Sequence, residues 1–192
     1  MLLPILFIAS QPSFAERLEF TQSGSNIHFH MSASLHDING EAQQFKGYLD
    51  IDESECSGEV SIDAKSITTF LGKRDDKMHS ETIQVSRFPE VLYIIHSIEG
   101  RKKNQITEAR HQIGAHIGSG EVILHGTLKI AGASNTVSIP AAYRWEDDSV
   151  RLTGSASIHW TDFSLPDPSF LFSTLSPQMD IKFSIYATPL TY

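Results

Sequence analysis

VILHGTLKIAGASNTVSIPAAY, residues Val122 to Tyr143, decides the fold. Val122, Leu124, Gly126, Leu128 and Ile130 alternate with Ile123, His125, Thr127 and Lys129, the period of a strand with one buried face. Gly132 marks a turn, and Val137, Ile139, Ala141 and Tyr143 form a second apolar set. Strands joined this closely pair antiparallel, because a parallel partner needs a crossover of about a dozen residues or more.

The pattern recurs on both sides. Ile27, Phe29, Met31, Ala33 and Leu35 oppose His28, His30, Ser32, Ser34 and His36, which predicts one long strand. Asn39-Gly40 reads as a turn into Phe45, Gly47, Leu49 and Ile51, and Cys56-Ser57-Gly58 as a turn into Val60, Ile62 and Ala64. Val91, Tyr93 and Ile95 begin another strand. Asp147-Asp148 turns the chain into Leu152 through Trp160, and Met179, Ile181, Phe183 and Ile185 come last. Pro166 and Pro168 keep 162–168 out of any central strand. Residues 99–118 have no firm period and read as a hairpin or a lengthened loop. About eight one-sided strands without a helix layer must cover their apolar face with themselves, as a sandwich or a closed barrel. A barrel of about eight strands is either filled or holds one small ligand.

One stretch breaks the alternation. Ser66 to Pro89, SITTFLGKRDDKMHSETIQVSRFP, follows Gly72 with a charged run and then spaces Met78, Ile83 and Val85 irregularly. It reads as a loop and short helix set into an all-β chain.

Composition narrows the function. The chain has 192 residues, suited to one domain, and 40% hydrophobic content, ordinary for a globular protein. Its net charge of −8 excludes a nucleic-acid backbone as the expected partner. The first fifteen residues, MLLPILFIASQPSFA, are uncharged and too short to span a bilayer. Ser13-Phe14-Ala15 fits small-x-small cleavage, so residues 1–15 are expected to be a signal peptide. The mature domain is then 16–192, in the periplasm or secreted; an N-terminal strand is the competing reading. Cys56 is the only cysteine, which rules out an intramolecular disulfide.

Catalytic chemistry finds little footing. No Gly-x-Ser-x-Gly elbow is present, and the carboxylate pairs Asp75-Asp76 and Asp147-Asp148 fall in polar loops. His28 and His30 share a strand face at a spacing a metal site can use, but His36 and His159 have no reason to converge on them. Phe29, Met31, Phe45, Tyr93, Ile158, Trp160 and Phe183 face the interior. Each alone is ordinary core. Together they suit an apolar pocket, where each buried methylene of an acyl or isoprenoid tail contributes about 0.8 kcal/mol.

The sequence also resembles the YceI-like family. The resemblance runs from Ser25 to Ala187 and is carried by Leu35-His36-Asp37 with Gly40, Phe45-Lys46-Gly47, and Val60 to Thr69 ending in SITT. Lys73-Arg74-Asp75 with Met78, Arg87-Phe88-Pro89-Glu90-Val91, Gly126 to Gly132, and Thr161-Asp162-Phe163 complete it. The resemblance implies an exported, eight-stranded antiparallel lipocalin-like barrel, with one short helical insertion covering an end. It also implies a polyisoprenoid threaded through the pore.

The expectation is therefore a non-enzymatic protein, monomeric or homodimeric, that binds, sequesters or transports an isoprenoid, quinone or similar apolar lipid. It would have no other cofactor, no metal and no membrane span. The lipid would contact Phe29, Met31, Leu49, Tyr93, Ile158, Trp160 and Phe183, with Phe70, Leu71, Met78 and Ile83 as a gate. The alternative is a filled barrel acting as a structural or electron-transport partner. A metal or cofactor enzyme using His28 and His30 is a third reading.

Overall fold

The structure, a computed structural model, describes residues 16–51, 56–100, 118–169 and 173–190. The segment 1–15 expected as a signal peptide, and residues 101–117 of the polar stretch, lie outside the described residues.

Ten strands build eight staves. They are β1 (Glu16–Met31), β2 (Ile38–Ala42), β3 (Phe45–Ile51), β4 (Cys56–Asp63), β5 (Ile67–Thr68), β6 (Glu90–Gly100), β7 (Gly118–Ile130), β8 (Ala133–Glu146), β9 (Ser149–His159) and β10 (Gln178–Pro189). β2 and β3 lie end to end along one edge of β1, pairing with His28–Met31 and Glu16–Glu19 respectively. β5 and β4 continue the next stave against them. The ring then runs through β6, β7, β8, β9 and β10, and β10 pairs back onto β1. Every pairing is antiparallel and the ring closes, with β8 and β9 paired only from Ala141↔Gly154 to Glu146↔Ser149 and parted above it.

Side chains repair the breaks. β1 carries a bulge between Thr21 and Asn26, with Gly24 at φ 76°. Opposite it the ladder lapses at Gln43-Gln44, where Gln22 donates to the Gln43 carbonyl at 3.0 Å and accepts from the Phe45 amide at 3.1 Å. A backbone group left without its strand partner is thus satisfied by an amide side chain.

The hairpin read from Val122–Tyr143 forms as expected. Ala131 and Gly132, at φ 48° and 83°, make the two-residue turn whose twist suits antiparallel strands. Other expectations need correction. The strand predicted over 27–35 begins near Glu16 and ends at Met31, leaving Leu35 in a turn and 62% exposed. Asn39-Gly40 is no turn but lies inside β2, because Gly40 sits beneath the ring of Phe29. Cys56-Ser57-Gly58 opens β4, with Cys56 buried and paired opposite Ile51.

Strand direction sorts the connections onto two ends. The β1–β2 turn, the β5–β6 insertion, the Ala131-Gly132 turn and the β9–β10 connection share one end, called here the lid end. The Asp147-Asp148 turn and the start of β1 lie at the other. The insertion supplies a short helix, α1 (Gly72–Lys77), prolonged by a π turn over Met78–Thr82. It is tied down rather than capped: Arg74 donates to the Thr69 hydroxyl and carbonyl, both at 2.7 Å. Asp75 accepts from the Thr68 hydroxyl at 2.7 Å, the Thr69 amide at 2.8 Å, and the Thr69 hydroxyl. Lys77 reaches across to the Ser169 carbonyl at 2.5 Å.

Candidate functional site

The barrel is filled in one half and hollow in the other. Towards the far end Leu18, Val122, Tyr143, Trp145, Val150 and Ala187 are all buried in one core cluster. Towards the lid end the interior opens into a cavity of about 220 Å³. A single water needs ~10–15 Å³, so the space is large on that scale. Its wall draws on every stave, from Phe20 and Phe29 on β1 to Phe183 and Ile185 on β10. Met78, Thr82 and Ile83 from the insertion and Leu165 and Pro168 from the β9–β10 connection cover it.

Glycines explain why so aromatic a wall leaves room. Four rings lie flat against neighbouring strands because the residue beneath each has no side chain. Phe183 covers Gly154, its partner in the β9–β10 register, and a Cβ there would stand 2.6 Å from the ring. Phe29 covers Gly40, its partner on β2, and Phe20 covers Gly47, where a Cβ would be 2.6 Å from Cδ2. Tyr93 lies over Gly126, with the corresponding distance 2.7 Å. Real Cβ atoms are not found so close to other atoms, so each glycine permits a ring to line the bore instead of crossing it.

The ionisable group on this wall, the Tyr93 phenol, is already engaged. Tyr93 Oη lies 2.9 Å from both the Leu124 and Val137 carbonyls, and its single proton is donated to one or the other. Burial pushes the phenol up to about 12, so it stays neutral at physiological pH. The wall offers a ligand hydrocarbon contact and little hydrogen bonding, and gives water almost nothing to hold.

All seven residues expected to meet a ligand (Phe29, Met31, Leu49, Tyr93, Ile158, Trp160 and Phe183) line the cavity. Trp160 stands just beyond β9 in a 3-10 turn, its indole held by a 3.0 Å bond to the Ser176 carbonyl. Of the four gate residues the structure brings Met78 and Ile83 to the wall. Phe70 and Leu71 are not part of it; they are 68% and 49% exposed. Phe70 has φ 61°, held by a 3.0 Å bond from its amide to the Thr68 hydroxyl. A bulky residue in that region costs about 1–3 kcal/mol. Phe20 and Leu165 were not anticipated: Phe20 precedes the β1 bulge, where the alternation lapses, and Leu165 sits among prolines.

The polar constellations lie outside the barrel. His28 and His30 face solvent near Glu41 and Asp37, and among the described residues no three potential metal ligands converge. Ser138, His125 and Glu99 form a chain, with 2.9 and 3.2 Å links, in the order of a catalytic triad. It lies exposed across the outer faces of β6, β7 and β8. No helix among the described residues is long and apolar enough to cross a membrane.

Comparison with known proteins agrees with this architecture. A crystal structure of Burkholderia cenocepacia BcnA superposes with a TM-score of 0.71 at 16% identity, covering 88% of this chain and 99% of that one. A polyisoprenoid binding domain from Saccharophagus degradans, implicated in plant cell wall breakdown, gives 0.71 at 13% identity, covering 90% and 98%. The Campylobacter jejuni YceI protein gives 0.63 at 16%, covering 83% and 88%. At these identities the likeness concerns the fold. No curated protein matches the chain. The YceI-like domain, however, matches residues 18–187, and the chain belongs to that family.

Proposed function

We propose that this protein binds the apolar tail of an isoprenoid, a quinone or a similar lipid within the lid-end half of its barrel, and so carries or sequesters it in an aqueous compartment. The observation that carries the reading is the cavity of about 220 Å³ with a hydrocarbon wall. Ten methylene-sized groups buried there contribute about 8 kcal/mol, which corresponds to roughly micromolar affinity before ordering costs are subtracted. Phe29, Met31, Leu49, Tyr93, Ile158, Trp160 and Phe183 would contact the tail, and Met78 and Ile83 would close over it. The polyisoprenoid-binding description of the Saccharophagus domain supports the ligand class. In this reading the protein is a binder rather than an enzyme, acts as a monomer or homodimer, and works in the periplasm or outside the cell once residues 1–15 are removed.

Two measurements test it. Organic extraction and native mass spectrometry of protein purified from its own host should reveal a prenyl lipid or quinone near one equivalent. Titration with decylubiquinone should quench Trp160, whose indole lies on the cavity wall, and a Trp145→Phe control should retain the response. Protein that is clean as purified and takes up neither decylubiquinone nor farnesol sinks the reading in favour of a ligand-free partner protein.

A further inference from the structure

A ligand can reach this cavity only through its lid-end half. The staves are joined by hydrogen bonds except between residues 133–140 of β8 and 155–159 of β9, which themselves lie towards the lid end, and the far half is occupied by Leu18, Val122, Tyr143 and Trp145. The large hydrophobic side chains that stand exposed among the described residues are Leu35, Phe70 and Leu71. Strand register places all three at that end: Leu35 is in the β1–β2 turn, and Phe70-Leu71 directly follow β5, which pairs with β2. Phe70 is not exposed by slackness. Its left-handed backbone, its amide bond to Thr68, and the grip of Arg74 and Asp75 on Thr69 fix the turn with the ring pointing outwards. A constrained aromatic beside the mouth of an apolar cavity is unlike the scattered exposed leucine that needs no explanation.

We infer that Phe70 and Leu71, supported by Leu35, form a wedge that docks the lid end onto a lipid bilayer, so that cargo passes between membrane and cavity without crossing water. The inference rests on the lipid-binding reading above. The driving force is insertion of apolar side chains at the interface. Charge contributes little: the chain carries −8 overall, and in the stretch around the wedge Lys65, Lys73, Arg74 and Lys77 are nearly balanced by Asp63, Asp75 and Asp76. The matching surface is therefore a neutral, zwitterionic one, and a more anionic leaflet should not improve docking.

The test uses phosphatidylcholine vesicles and the full mature chain. Wild-type protein should sediment with the vesicles. It should also take up decylubiquinone preloaded into them, read by Trp160 quenching, at a rate that rises with vesicle concentration. A Phe70→Ser/Leu71→Ser double variant should transfer roughly tenfold more slowly and lose sedimentation, and Leu35→Ser should show a smaller loss. Uptake of decylubiquinone from detergent solution should be unchanged in all of them, because none of the three residues lines the cavity. Transfer by the double variant at the wild-type rate, or a wild-type rate independent of vesicle concentration, overturns the docking inference. Failure of uptake from detergent solution overturns the binding reading instead, and vesicle sedimentation still decides docking on its own.

Discussion

The two halves of this barrel are built from the same strands and the same alternation, yet one is solid and the other hollow. On β8, Tyr143 and Trp145 point inwards near the far end and are buried, while Val137 and Ile139 on the same face line open space. The difference lies across the strands rather than along them. In the hollow half four rings have a glycine beneath them and lie along the wall. In the solid half bulky side chains meet near the axis, and Trp145 and Val150, cross-strand partners, are both buried. A glycine beneath a ring does not decide the outcome alone, since Tyr143 in the solid half also lies over Gly120, its partner on β7; what differs is that Leu18, Trp145 and Val150 are buried in the same cluster with it.

Truncation should separate the halves most sharply. Trp145→Ala removes packed core and should cost about 3–5 kcal/mol in denaturant unfolding, whereas Phe183→Ala borders space that already exists and should cost no more than about 2 kcal/mol. Equal losses would mean that the lid-end half is as tightly packed as the other. A subtler break comes from the wall itself. Gly154→Ala sets a Cβ against Phe183 and 2.8 Å from the Pro140 carbonyl, forcing the ring into the bore. It should lower stability by about 1–3 kcal/mol and weaken decylubiquinone roughly tenfold, or about 1.4 kcal/mol. Adding Phe183→Leu should restore much of the binding, a coupling expected only of residues in contact.

Those pairs also show where sequence reading stops. The Val122–Tyr143 hairpin, the strand set and the closed barrel follow from period-two alternation, which is a local property of the chain. So do the inward positions of Phe29, Tyr93 and Phe183. Whether those rings fill the barrel or line it depends on residues such as Gly40 and Gly154, and those become neighbours only through the register of another strand. Read locally, Gly40 signals a turn; in the structure it signals a close approach. The first half of β1 was missed for a related reason: its bulge at Gly24 puts Leu18 and Phe20 out of phase with Ile27 and Phe29. Phe70 and Leu71 are expected as gate residues because the insertion reads as a cover over one end of the barrel, but both stand exposed, Phe70 on a left-handed backbone that no local pattern announces.

Tyr93 offers a milder probe of the hollow wall. Its folded pKa is raised above the ordinary 10.0 to about 12, so the neutral form is favoured on folding. Its contribution is complete below pH 10 and is lost as pH rises from 10 to about 12. Tyr93→Phe should cost about 1 kcal/mol at neutral pH through the lost hydrogen bond, and should remove that part of the alkaline decline. Unfolding midpoints between pH 9 and 12 that fall identically in both proteins would show that Tyr93 is not sealed into the wall.

The smallest effect belongs to the lid, and its sign is opposite. Burial alone would raise the Asp75 pKa, but hydrogen bonds from the hydroxyls of Thr69 and Thr68 and from the Thr69 amide outweigh it and hold the carboxylate below its usual 3.8. A depressed carboxylate stabilises the fold above its ordinary pKa and loses that contribution as pH falls through the lowered value. The latch should therefore be intact from about pH 4 upwards and loosen in stronger acid, while the solid half, held by hydrocarbon packing, does not respond. Asp75→Asn should reproduce the acid state at neutral pH at a cost on the order of 1 kcal/mol. Amide exchange at Thr69, corrected for its intrinsic rate, would read this as lower protection in the variant, with the Trp145 amide unchanged. If protection falls at both sites together, lid and core open as one unit, and the insertion is then part of the barrel's fold rather than a cover hinged upon it.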